Sequence, residues 1–301
     1  MDLVKFTIFI VVIFWIGWFL TGGPQNQRTG LPFLKPPAPL DSGEIYGPSS
    51  GPSSFVPSGM LGGGGDIISG ARQPEDKQAV SIFEGSFALQ SGNAYAEKPE
   101  EEYLVIYAAY NNTQPVSITG WKLKSGVSGK EVTIGKGAYL PFSGAVNKEE
   151  QIFLNPGDRA TITTGRSPNG VSFRLNTCTG YFEQFQDFIP SLPQECPYPQ
   201  DEKLPTGPGQ LNDACVRYIE GLSQCFAHIA AIPIGLSPEC SEYINKNIHY
   251  NGCIQTHKNE PNFYKSEWRI FLGNDTELWK QSRETIKLLD PQGKVIDSLS
   301  Y

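Results

Sequence analysis

No cysteine occurs before Cys178 or after Cys253, so a thiol-lipidated amino terminus is excluded and all six sulfurs belong to one window of the chain. Within that window there is no C-x-x-C pair. Successive cysteines are separated by 17, 18, 9, 14 and 12 residues, a spacing that gives a tetrahedral thiolate zinc site no closely placed ligands, although His228, His249 and His257 lie nearby. Positive charge is also scarce: 24 Lys and Arg face 31 Asp and Glu, for a net charge of -7. Without a basic face to neutralise phosphates, nucleic acid is excluded as a partner. The P-loop, dinucleotide, zinc-protease and nucleophile-elbow signatures are all missing. Three scattered histidines make no triad, and Glu183, Asp187, Glu239 and Glu242, the acids available for paired-carboxylate work, suit ordinary helix faces. The sequence therefore offers no catalytic residue, no metal site and no cofactor.

What is present begins with an apolar run, Phe6 to Leu20, whose one polar member is Thr7. A bilayer span takes about 20 residues, so Leu3 and Val4 join it while Lys5 snorkels. Residues 1–21 are read as an uncleaved signal anchor. A cleaved signal peptide is the competing reading, but no A-x-A-like site follows, and Trp15 and Trp18 suit an interfacial anchor. Lys5 and the α-amino group favour a cytoplasmic amino terminus, which places the bulk of the chain outside the bilayer, where thiols oxidise. Residues 22–79 are rich in Gly, Pro and Ser, too poor in apolar surface to offset their ordering entropy, and read as a tether.

From Val80 onward short runs with period-two character alternate with turns. Candidate strands are 80–89, 103–109, 116–118, 121–124, 132–134, 151–154, 160–163 and 171–175. Tyr103 to Ala109, apolar almost throughout, suits a strand covered on both faces. The acidic run Glu97, Glu100, Glu101 and Glu102 reads as a solvated approach to that strand. Near the carboxyl terminus, Thr285 to Leu289 alternates, Asp290-Pro291-Gln292-Gly293 has type I turn chemistry, and Lys294 to Leu299 returns as a hairpin partner. This many short strands indicate an antiparallel β-sandwich.

The blocks Glu102-Tyr103-Leu104-Val105-Ile106-Tyr107, Ile118-Thr119-Gly120-Trp121-Lys122-Leu123, Leu154-Asn155-Pro156-Gly157-Asp158 and Ile286-Lys287-Leu288-Leu289-Asp290 with Gly293-Lys294-Val295-Ile296-Asp297 resemble a lamin-tail domain. The resemblance implies an immunoglobulin-like sandwich, here 80–175 and 267–301, in a family whose bacterial members commonly sit in secreted or surface proteins. Residues 176–266 are then a six-cysteine insertion.

Two helices are expected in the insertion. One starts at Asn212 or Asp213 and carries Val216, Ile219 and Leu222; the other starts at Ser237-Pro238, carries Cys240, Tyr243 and Ile244, and closes at Asn251-Gly252. An antiparallel hairpin of these two pairs Cys215 with Cys253 and Cys225 with Cys240, leaving Cys178 for Cys196, one of many possible connectivities. That geometry is similar to the twin-cysteine hairpins of the coiled-coil-helix family. Tyr181, Phe185 and Phe188, at i, i+4 and i+7 with Phe182 adjacent, read as a packed helix face, with an aromatic platform for sugar or peptide as the alternative. Taken together, the expected function is membrane-anchored, extracytoplasmic, non-catalytic interaction with an envelope polymer or a surface protein. The rivals are a cell-envelope hydrolase with its site between insertion and sandwich, and a self-associating structural component.

Overall fold

The structure, a computed structural model, describes residues 79–301 apart from Ser143 and Pro208. The expected anchor and nearly all of the expected tether lie outside the described residues. Among the described residues no helix is long and apolar enough to cross a membrane. The described residues belong to a compact unit, Ala71–Tyr301.

Eleven strands form the frame: β1 (Phe87–Gln90), β2 (Tyr103–Ala108), β3 (Val116–Ser117), β4 (Lys122–Ser125), β5 (Glu131–Thr133), β6 (Phe153–Leu154), β7 (Arg159–Thr163), β8 (Phe173–Asn176), β9 (Tyr264–Phe271), β10 (Thr285–Leu289) and β11 (Val295–Ser300). A five-stranded sheet runs β1-β2-β7-β9-β8, a four-stranded sheet β11-β10-β4-β5, and β3 pairs with β6. Most neighbours are antiparallel; β7 and β9 run parallel, Ala160 opposite Trp268. Leu104, Ile106, Ala160, Ile162, Trp268 and Ile270 of the larger sheet share one buried cluster with Leu123, Ile286, Leu288 and Ile296 of the smaller. Two sheets closing on one core give a sandwich-like, mainly-β protein.

The carboxyl-terminal hairpin forms as expected. Gly293 N donates to Asp290 O at 2.9 Å, while Asp290 Oδ1 accepts from the backbone N–H groups of Gln292 and Lys294. Strand 80–89 shortens to β1, and the strand after the insertion begins at Tyr264, ahead of the expected 267.

The expectation of a doubly covered β2 is corrected. Its burial alternates, with Leu104, Ile106 and Ala108 inward and Tyr103, Val105 and Tyr107 half-exposed. The doubly covered strands are β7 and β9, because the insertion lies over the outer face of that half of the sheet. There Phe173, Leu175 and Phe271 meet Cys178, Phe182, Phe188, Leu192 and Phe263. Arg269 of β9 donates to the carbonyls of Pro190 and Ser191 at 2.5 and 3.1 Å, pinning the insertion's incoming loop to the sheet.

The acidic run is solvated at Glu97 and Glu100, as expected, and is corrected at Glu102. Glu102 is fully buried and accepts hydrogen bonds from Leu278 N, Trp279 N and Thr164 Oγ1 at 2.9, 3.2 and 2.5 Å, holding the loop that precedes β10. Burial raises its pKa above the ordinary carboxylate value, against those hydrogen bonds. Glu284, at the end of the same loop, accepts from Lys280 N, Ser125 Oγ, Thr285 N and Val127 N. Burial disfavours its charge too, but these donors outweigh that cost and hold its pKa below the ordinary 4.5. A lowered native value gives stability that is complete above the ordinary pKa and is lost as pH falls through the native one. Glu284→Gln should cost about 2 kcal/mol at pH 7 and flatten part of the decline in Tm below about pH 4.5. Thermal melts from pH 7 to 3 that superimpose for the two proteins would contradict this.

Three helices lie in the insertion: α1 (Asp213–Glu220), α2 (Pro238–Asn247) and α3 (Tyr250–His257). As expected, Asn212 caps α1 by accepting from Cys215 N, and Ser237 caps α2 by accepting from Cys240 N. The second helix does not close at Asn251-Gly252. It ends at Asn247, and His249 starts a new helix by accepting from Asn251 N and Gly252 N through Nδ1. Gly252 is there for proximity: a Cβ would stand 2.5 Å from the Lys246 carbonyl oxygen at the end of α2.

Every cysteine is bridged, but none of the expected pairs forms. The bridges are Cys178–Cys253, Cys196–Cys225 and Cys215–Cys240. The reason is the break before His249. Cys253 belongs to a helix other than that of Cys240 and is turned toward the end of β8, where Cys178 waits. Cys215 and Cys240, each three residues past its helix cap, bring start to start rather than start to end, in a small core with Leu211, Ile219, Ile244 and Ile248.

Candidate functional site

The predicted helical stripe does not exist. Thr179–Gln184 is a 3-10 helix, Phe188 is buried against Phe173, and Phe185 is 59% exposed, so Tyr181, Phe185 and Phe188 do not share a face. Two constraints set this turn. Asn176 Oδ1 accepts from Cys178 N where β8 ends, and Gln184 clamps Ala227 by donating from Nε2 to its carbonyl and accepting its N–H, at 3.0 and 2.8 Å. Gly180 is required inside it, since a Cβ would collide with Cys225 Sγ and stand 2.9 Å from the Pro193 oxygen.

The result is a cleft of about 280 Å³ at the seam of insertion and sandwich, lined by Phe142, Tyr181, Phe182, Phe185, Ala227, His249, Tyr250 and Asn251. Phe182 and Tyr250 lie 4.2 Å apart, centroid to centroid, tilted by 39°, and Phe142 meets Tyr250 edge-on at 6.3 Å. Phe142 comes from the sandwich's loop, where Asn147 braces it by accepting from Phe142 N and donating to Phe142 O. Burial pushes the Tyr181 phenol up to about 12 and that of Tyr250 higher still, so both stay neutral. Because His249 Nδ1 accepts the cap hydrogen bonds, a neutral ring carries its proton on Nε2. The cleft thus offers ring faces with a sparse polar rim, an arrangement that stacks against a flat or C–H-rich ring.

The remaining histidines are occupied. His228 Nε2 lies 3.2 Å from Tyr218 Oη, and His257 sits 2.8 Å from both Glu202 and Glu260. Burial works against an imidazolium at His257, yet the two glutamates hold its pKa above the ordinary value. Among the described residues no group of three or more His, Cys, Asp or Glu is placed to hold a metal. Of the available acids, Glu183 is spent on the Leu192 N–H. Phe142, His249, Tyr250 and Asn251 are not legible as site residues: no motif joins positions this far apart, and it is the Cys178–Cys253 bridge and the packing of Tyr250 on Phe182 that bring α3 beside the 3-10 turn.

Fold and cleft together define a sheet-rich, triply disulfide-bridged protein, and three such bridges belong to an oxidising, extracytoplasmic milieu. No protein-family model, curated protein or solved structure matches the chain.

Proposed function

We propose that this chain is a membrane-anchored, extracytoplasmic interaction module without catalysis, in which a lamin-tail-like sandwich displays the cross-linked insertion to an envelope polymer or surface protein. The observation that carries it is the aromatic cleft at the seam, where Phe142 and Phe185 keep exposed ring surface at the edge of a buried Phe182–Tyr250 pair. The ligand is read as a ring-bearing unit, a sugar or a prolyl or aromatic side chain. The apolar run 6–20 supports anchorage and the disulfides support the compartment.

Retention of the purified chain on insoluble cell-wall polymers and on a peptide array tests the proposal. Phe142→Ala and Phe185→Ala, both at exposed positions, should each weaken retention roughly tenfold, the ~1.4 kcal/mol of one lost stacking face. Failure of the wild type to bind any of these, or equal retention of the variants, would count against the cleft. Soluble product released from a polymer would instead favour a hydrolase.

A further inference from the structure

Between Glu220 and Glu239 the chain carries no Asp, Glu, Lys or Arg, although 18% of all residues are charged. This stretch contains the loop 226–236, Phe-Ala-His-Ile-Ala-Ala-Ile-Pro-Ile-Gly-Leu. Its side chains divide into two sets. Ile232 and Leu236 pack inward on the α1–α2 core. Ile229 and Ile234 point outward, 73% and 108% exposed, with Phe226 half-exposed at the root. The ends are fixed, because Cys225 is bridged to Cys196, Cys240 to Cys215, and Ala227 is clamped by Gln184. A Leu236 N to Pro233 O hydrogen bond shapes the tip. The apolar row is therefore presented by a braced loop.

We propose that this loop dips into the surface of a lipid bilayer, the outward isoleucines leaving water for the interfacial zone. A membrane suits the loop better than a protein partner for two reasons. Its outward row, Ile229, Ala230, Ala231, Pro233 and Ile234, is exposed and lacks the hydrogen-bonding side chains that form the rim of a protein interface. A bilayer demands absence of charge and no shape complement. The proposal rests on the anchor reading of residues 1–21 for its supply of membrane. Because the loop itself carries no Asp, Glu, Lys or Arg, the contact needs no anionic lipid and depends little on salt.

The test uses the full chain reconstituted in phosphatidylcholine vesicles, wild type beside Ile234→Trp, whose site makes no packing demand. Resistance to carbonate extraction reads the anchor separately. In the anchored chain, lipids brominated near the headgroup should quench roughly half of the emission that the added indole contributes above the five native tryptophans. Adding Ile229→Glu to Ile234→Trp should abolish that quenching. An anchored chain whose added indole emits as in water, or is shielded in proportion to protein density without lipid quenching, overturns the proposal, the second result in favour of another copy of the chain. If carbonate extracts the chain, the anchor reading fails. The same measurement on chain added to brominated vesicles then decides the loop alone: quenching upholds it and none overturns it.

Discussion

Replacing Cys178 and Cys253 together by alanine is expected to lower the unfolding free energy by about 4.5 kcal/mol, against about 3.5 kcal/mol for the Cys196–Cys225 or Cys215–Cys240 pair. The ordering follows from loop length, with sequence separations of 75, 29 and 25 residues. The longest loop also has the most at stake in the folded state, since Cys178 leaves β8 directly and Cys253 orients the helix that supplies His249, Tyr250 and Asn251 to the cleft. Urea unfolding of the three paired variants reads the ordering. Amide exchange reads the location: protection should fall across 177–263 while β2 and β7, whose core contains no cysteine, stay protected. A Cys215–Cys240 variant as damaging as the Cys178–Cys253 variant would show that the small α1–α2 core, rather than chain closure, governs the insertion. Loss of protection in β2 would show that sandwich and insertion unfold together.

The sequence was most legible where the signal is local. Alternation in Thr285 to Leu289, the Asp290 turn and the caps at Asn212 and Ser237 each depend on neighbours within a few residues, and each forms. It was least legible where distant segments decide the outcome. His249 caps a helix through a ring nitrogen, a weak sequence signal, so α2 and α3 read as one helix, and the hairpin that would pair Cys215 with Cys253 and Cys225 with Cys240 does not form. Asn251-Gly252 looked like a stop because glycine often ends helices, whereas Gly252 is needed for the close approach of α3 to the end of α2. Glu102 looked solvated because its neighbours are acidic; the loop that buries it arrives from Leu278 and Trp279. The cleft combined both difficulties. Aromatic density near Tyr181 marked the place, but Phe142 and Tyr250 come from the sandwich loop and from α3.

Arg269→Met is expected to cost about 3–5 kcal/mol and to loosen the insertion from the sheet, because the guanidinium is the polar joint between them. It is 4% exposed and stands among buried polar groups of the covered face, Thr161, Thr163 and Glu267. Its Nη atoms hold the Pro190 and Ser191 carbonyls, and its Nε lies 2.8 Å from Glu267 Oε1 as a contact of charge without hydrogen-bond alignment. Burial lowers its pKa, and Glu267 opposes that shift. Methionine fills similar volume but strands two carbonyls and removes one of the two cations facing Glu267, leaving Arg159, whose Nη2 is 2.5 Å from Oε2. Adding Glu267→Gln to Arg269→Met should therefore recover part of the loss, since it removes a buried charge that has lost one of its two cations. Denaturant melts of both single variants and the double variant give the coupling directly. If the single-variant costs simply add, the two groups act independently, and the joint is held by the carbonyl contacts alone.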